Sequence, residues 1–271
     1  MRWTSGDGSN VEDARGRSGI GFGGGVPLGL GGFVVLLLLS WATGTNLFQV
    51  LGTGDATPAE STRAVGTAGQ NDQSVAFVDA VMKDVQDTWE QLLPGRYRRT
   101  RVVLFTDSLE SGCGLAQSAT GPFYCPSDSR VYLDLGFFRE LQDKLGAPGD
   151  FARAYVIAHE VGHHVQHLMD IEGPSVAIEL QADCFAGVWG HAASQPGRAS
   201  QGKVELDPGD AEEGLNAASA IGDDRLQRMA TGHVSPDKFT HGSSAQRVSW
   251  FRRGLESGRP TACDTMSSTD R

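Results

Sequence analysis

Apolar positions along this chain change their rhythm several times, and each change marks an element. Val75, Val78, Val81, Met82, Val85, Trp89 and Leu92 recur at three- and four-residue intervals, which predicts a helix with one core-facing stripe, ended by Pro94-Gly95. Arg101–Phe105 and Arg130–Asp134 are short runs of β-branched and aromatic residues and read as strands, with a third strand expected at Phe123-Tyr124. The helical rhythm then returns over Phe137 to Leu145, Phe151 to His167, Val176 to Ala193, Pro208 to Ile221 and Ala245 to Leu255. Gly146-Ala147-Pro148, Gly173-Pro174 and Pro196-Gly197 interrupt it. Strands that come first and helices that follow predict an α+β domain over residues 73–271. There is no internal repeat.

The first 72 residues carry a different pattern. Residues 1–32 are rich in Gly, Ser and charge, with the tract Gly21-Phe22-Gly23-Gly24-Gly25, and are expected to be a flexible tail. From Phe33 to Leu51 the chain is predominantly apolar, and no charge occurs between Arg17 and Asp55, so residues 33–51 are expected to form a transmembrane helix. Thirty-two residues precede the run and no Ala-x-Ala site follows closely, which favours an uncleaved anchor over a secretory signal. Arg2, Arg15 and Arg17 precede it against Arg63 alone soon after, so the N-terminus is expected in the cytoplasm and the domain outside it. Residues 52–72, with Pro58 among Thr, Ala, Gly and Asp, read as a linker.

Charge and cysteine narrow the picture. The 271 residues hold 23 Lys+Arg against 33 Asp+Glu, a formal charge of −10, so no broad basic surface exists for a nucleic-acid backbone and no nucleic-acid partner is expected. Outside the cytoplasm four cysteines suit a two-bridge framework. Cys113 with Cys125 closes a short loop, and Cys184 with Cys263 would tie the C-terminal tail to the middle of the domain. The bland alternative leaves Cys184 as a buried free thiol.

The candidate chemistry lies in Ile157-Ala158-His159-Glu160-Val161-Gly162-His163-His164-Val165, which holds H-E-x-x-H inside a helical pattern. Residues four apart on a helix lie about 5–6 Å apart at Cβ, so His159 and His163 can turn imidazole nitrogens to one zinc ion. Glu160 sits round the helix from them, within reach of a water as general base. A catalytic zinc site needs a third protein ligand. Gln166 and Met169 stand where a metzincin would have Gly and His, which excludes that class. Glu179, on the next predicted helix, is the foremost third ligand, and His191 is the alternative within a purely structural His₃ site. Asp183, four residues beyond Glu179, could accept the second N–H of a liganding histidine. His164, Asp170 and Glu172 are less distinguished, and His167 lies about 12 Å along the axis from His159, too far to share its ion. These residues predict a zinc-dependent peptidase with the substrate extended along the sheet edge near Phe123-Tyr124. Its rivals are a zinc-stabilised cell-envelope interaction module without hydrolysis and a metal-dependent amidase acting on non-peptide substrates.

The chain also resembles the neutral zinc metallopeptidases of bacteria over nearly its whole length. The resemblance rests on Met1-Arg2-Trp3 with Asn10-Val11-Glu12-Asp13 and Arg15, on Gly121-Pro122-Phe123-Tyr124-Cys125-Pro126, on the block from His159 to Gln166, on Glu179-Leu180-Gln181-Ala182-Asp183-Cys184, and on Phe239-Thr240-His241 through Arg247. It implies a gluzincin-type zincin fold behind one membrane anchor. In membrane-associated gluzincins of the CAAX-prenyl-protease type, a similar His followed six residues later by Arg contacts the tetrahedral intermediate, which implies that role for His241 and Arg247.

Overall fold

A computed structural model describes residues 1–16 and 73–267. Among them a four-stranded sheet has the order β1-β2-β6-β5, formed by β1 (Val11–Asp13), β2 (Arg101–Phe105), β6 (Arg130–Asp134) and β5 (Phe123–Cys125). The pairs β1/β2 and β2/β6 are parallel, and β5 runs antiparallel to β6 as an edge strand. Two-residue alternation sorts the side chains of β2 and β6 between two faces. Val102, Leu104, Val131 and Leu133 enter the main core beneath the helices. Val103, Phe105 and Tyr132 join Ala14, Ala116 and Cys125 in a small cluster on the opposite face. That second cluster is covered by a hairpin of β3 (Ser108–Ser111) and β4 (Gly114–Gln117), tied to β5 by the Cys113–Cys125 disulfide. The hairpin is absent from the sequence reading because Ser-Leu-Glu-Ser and Gly-Leu-Ala-Gln bury only Ala116 and show no clear alternation.

Helices α1 (Gln73–Leu92), α2 (Gly136–Asp143), α3 (Asp150–Leu168), α4 (Ser175–Ala193), α5 (Asp210–Ala220), α6 (Asp223–Thr231) and α7 (Ser244–Ser257) complete the mixed α+β domain. Of the stripe expected on α1, Val78, Val81, Met82, Val85 and Trp89 are buried, Val75 is partly buried and Leu92 is exposed, and α3 and α4 are buried on almost every side. Helix α6 went unpredicted because Asp-Asp-Arg-Leu-Gln-Arg-Met-Ala-Thr buries only Asp223 and therefore shows no apolar stripe. Gly254 of α7 lies against α4 so closely that a Cβ there would sit 1.9 Å from the Cys184 carbonyl oxygen, and this near contact of backbones brings α7 side chains to the interior of α4. The Cys184–Cys263 disulfide holds the segment after α7 on the same helix, so both expected pairings are present.

Residues 1–16 correct the expectation of a flexible tail over residues 1–32, of which 17–32 lie outside the described residues. Buried Asp79 of α1 accepts the backbone N–H groups of Gly8 and Asn10 and the Asn10 amide, and Gln86 donates to the Asn10 side-chain oxygen. These bonds pay for burying Asn10 and seat β1 beside β2, a placement that composition alone cannot reveal because the polar groups are satisfied only by partners far along the chain. A sheet cannot be paired across a bilayer, so β1 and the rest of the domain occupy one side of any membrane. This conflicts with a cytoplasmic N-terminus and a domain outside. The expected transmembrane helix at 33–51 and the linker at 52–72 lie outside the described residues. Among the described residues no helix is long and apolar enough to cross a membrane.

Candidate metal centre

Helices α3 and α4 run back against each other across the Gly173-Pro174 turn, and Gly162 sets their spacing. A Cβ at Gly162 would lie 3.1 Å from Cα and the carbonyl oxygen of Ala182, so the absence of a side chain lets the two backbones meet beside His163 and Asp183. The approach places Glu179 opposite the H-E-x-x-H turn.

Three ligand atoms converge there. His159 Nε2 lies 3.2 Å from Glu179 Oε2, His163 Nε2 lies 3.2 Å from His159 Nε2, and His163 Nε2 lies 3.5 Å from Glu179 Oε1. Ligands about 2.0–2.1 Å from a tetrahedral zinc are about 3.3 Å from one another, so these spacings fit that ion. Among the described residues this is the group of His, Cys, Asp and Glu that could hold a metal. The protonation pattern points the same way. His159 Nδ1 is 2.8 Å from the Asp183 carboxylate, and His163 Nδ1 is 2.8 Å from Gln166 Oε1, which are acceptors, so each Nδ1 donates. When neutral, imidazoles held in this way turn Nε2 lone pairs to one point beside Glu179, where a cation could be held.

Without a metal, protons take that place. Burial alone would lower the His159 pKa, but Asp183 and Glu179 outweigh it and raise it to about 10. His163 is raised as well, with Glu179 overcoming its burial. Burial opposes ionisation of Glu179, yet the two histidines hold its carboxyl well below the ordinary carboxylate range. Glu160, next to His159 on the same helix, is 7% exposed and accepts no hydrogen bond from the described residues.

The other sequence-selected residues separate clearly. Asp183 is fully buried, and besides His159 it meets the Arg247 guanidinium in two bonds, Nε to Oδ2 and Nη2 to Oδ1, each 2.9 Å. Arg247 is 3% exposed and also reaches the Ile221 carbonyl and the Tyr155 hydroxyl. Its donors are turned to Asp183, behind the ligand, so the expected contact of Arg247 with a reaction intermediate does not fit its geometry. The neighbouring groups explain why: an aspartate buried under α7 needs a counter-charge, and Arg247 is on that helix. His241 stands on an exposed turn, with Nδ1 3.2 Å from Asp223 Oδ1, and makes no hydrogen bond to the three ligand residues. The Asp223 carboxylate accepts the backbone N–H groups of Thr240, His241 and Gly242, which fixes the turn.

His191 donates to the Leu255 carbonyl, about 18 Å along α4 from Glu179, so it does not replace Glu179 in the cluster. His164 is buried, with Nε2 on the Arg98 carbonyl and Nδ1 on the Tyr124 hydroxyl; burial lowers its pKa. His167 meets the same hydroxyl from the other side. Three site residues escaped the sequence reading: Tyr155, whose hydroxyl donates to Asp183, and the glutamines Gln166 and Gln181. Tyr155 is four residues before His159 and Gln166 three after His163, so helical spacing alone offers a signal for two of them.

The fold and site thus define a mixed α+β protein in which His159, His163 and Glu179 form a group that could hold a metal ion, with Glu160 next to His159 on the same helix. The profile of the family described as "Putative neutral zinc metallopeptidase" matches residues 1–174 and 171–266, and the chain belongs to that family. It is similar to the uncharacterized protein YpfJ of Escherichia coli K12, 43% identical over 295 aligned residues that cover 99% of this chain and all of the relative. It is also similar to the uncharacterized proteins Mb2605 of Mycobacterium bovis and Rv2575 of Mycobacterium tuberculosis, each 42% identical over 84% of this chain and 78% of theirs. No solved structure gives a significant match.

Proposed function

We propose that this chain is a zinc-dependent endopeptidase of zincin type, with His159, His163 and Glu179 holding the ion. The observation that carries this reading is the convergence of the His159, His163 and Glu179 side chains at 3.2–3.5 Å, with Glu160 next to His159 on the same helix. Zinc supplies Lewis acidity toward a carbonyl oxygen and toward water. Glu160 accepts the proton of the attacking water and hands it to the leaving amine nitrogen. Asp183 keeps His159 in the Nδ1–H tautomer, and Arg247 with Tyr155 holds Asp183 in place. His241, half exposed on a turn braced by Asp223, is an N–H donor available to a substrate carbonyl.

Edge strand β5 is the peptide-binding candidate, because β6 pairs with only one of its sides. Tyr124 of β5 bonds to His164 and His167 of α3, which fixes that edge relative to the metal ligands. Two disulfides favour a compartment outside the cytoplasm for the domain. Strand β1 would share that compartment, and the apolar run at 33–51 would be the membrane contact.

Zinc stoichiometry of the full-length chain, measured by equilibrium dialysis and elemental analysis, tests the ligand set. One zinc per chain in the wild type and loss of tight binding in Glu179→Ala and His163→Ala support it. Unchanged binding in either variant contradicts it.

A further inference from the structure

His163 is oriented by a longer device than one neighbour. Gln166 Oε1 accepts its Nδ1–H at 2.8 Å, Gln166 Nε2 donates to the Ile178 carbonyl at 2.7 Å and to Gln181 Oε1 at 3.1 Å, and Gln181 Nε2 donates to the Cys263 carbonyl at 2.9 Å. Both glutamines are buried, 3% and 6% exposed. The two backbone carbonyls can only accept, so each terminal amide NH₂ must face its carbonyl and each amide oxygen must face the metal side. The polarity of the whole chain is thereby fixed, and it leaves His163 Nδ1 no role but donor.

The far end of the chain is pinned twice. Cys263 is bonded to Cys184 of α4, and the buried Thr265 hydroxyl donates to the Ala177 carbonyl at 2.7 Å. Gln181 thus bonds to a segment 82 residues further along the chain that is docked on α4.

We propose that Gln166 and Gln181 are positioning residues that couple docking of the C-terminal segment to the zinc-binding form of His163. The proposal rests on the reading of His159, His163 and Glu179 as zinc ligands. A liganding histidine usually gives its second N–H to an acceptor, and loss of that partner weakens metal affinity about 10–100-fold. Here the acceptor is neutral and is itself held in orientation by the C-terminal segment.

The test compares full-length wild type, Gln166→Leu, Gln181→Leu and the double variant Cys184→Ser/Cys263→Ser. Zinc affinity is measured by competition with a chromophoric chelator, and the His163 Nδ1–H signal by proton NMR. Gln86→Leu is the control, since Gln86 is a buried glutamine bonded to Asn10 and Thr100 rather than to the site. Zinc affinity is expected to fall about 10–100-fold in Gln166→Leu and by a smaller factor in Gln181→Leu and the double serine variant, with the Nδ1–H signal exchanging faster with solvent in each. Gln86→Leu is expected to lose stability and keep wild-type affinity. Wild-type affinity and an unchanged Nδ1–H signal in Gln166→Leu and Gln181→Leu would overturn the proposal, as would an equal loss of affinity in Gln86→Leu. If the wild type binds no zinc, the ligand reading falls separately. The coupling is then judged on the metal-free protein, where a His163 Nδ1–H as exposed to exchange in the wild type as in Gln166→Leu would overturn it.

Discussion

Arg247 shows how a side chain's burial decides its role. At 3% exposure and with its Nε and Nη2 donors on a fully buried Asp183, its guanidinium neutralises a charge that would otherwise sit unpaired in the core. Arg247→Met is expected to lower stability by about 3–5 kcal/mol in urea denaturation, because it strands the Asp183 carboxylate. Adding Asp183→Asn should recover part of that loss, and a double variant as unstable as the sum of its parts would contradict the pairing. The buried histidine beside Asp183 carries a second consequence. His159 has a folded pKa of about 10 in the metal-free protein against 6.5 ordinarily, so its contribution to stability is fully present below pH 6.5 and is lost as pH rises through 10. Zinc must displace that proton. Binding near pH 7 should therefore release on the order of one proton, and zinc affinity should rise with pH below 10. Titration calorimetry in buffers of different ionisation heat measures the release; a heat independent of buffer would contradict it. The grouping of His159, His163 and Glu179 with Asp183 is legible in the sequence because helical spacing at i and i+4 is itself a geometry. Arg247 and His241 are not placed by spacing, since their partners Asp183 and Asp223 lie 64 and 18 residues away.

At the level of elements, the site depends on how closely three helices approach. Gly162 separates α3 from α4, and Gly254 separates α7 from α4; an added methyl meets backbone at both. The 1.9 Å distance at Gly254 cannot be relieved by turning a side chain, whereas the 3.1 Å distance at Gly162 needs a shift of a few tenths of an ångström. Gly254→Ala is therefore expected to cost about 3 kcal/mol or more in thermal or urea unfolding, at the upper end of overpacking effects. Gly162→Ala should cost less stability yet weaken zinc binding, because Glu179 moves away from the histidines with α4. Equal stability and affinity in Gly162→Ala and wild type would contradict this spacing role. Periodicity located the major helices, since their apolar stripes are long. It missed the β3/β4 hairpin and α6, whose residues bury one side chain each and so leave no pattern to read.

For the whole molecule, the sheet joins parts of the chain that the sequence reading assigns to opposite sides of a membrane. Strand β1 is seated by Asp79 and Gln86, and no local pattern at residues 1–16 announces those partners. Ser5 and Gln201 are exposed, and the native cysteines are all in disulfides, so Ser5→Cys and Gln201→Cys each offer one reactive thiol. In intact cells expressing the full chain, a membrane-impermeant maleimide should label both variants alike. Labelling of one and protection of the other until permeabilisation would contradict the single-sided sheet.

The central claim is hydrolysis of peptide bonds with Glu160 as base, and the most direct test is mass-spectrometric detection of cleavage in a mixed peptide library by the full-length chain. Wild type and Glu160→Gln are compared at matched zinc content. Cleavage by the wild type is expected, with a loss of about 10²–10⁴-fold in the variant and zinc retained. Cleavage at equal rates by both, or none by a folded and zinc-loaded wild type, would contradict it.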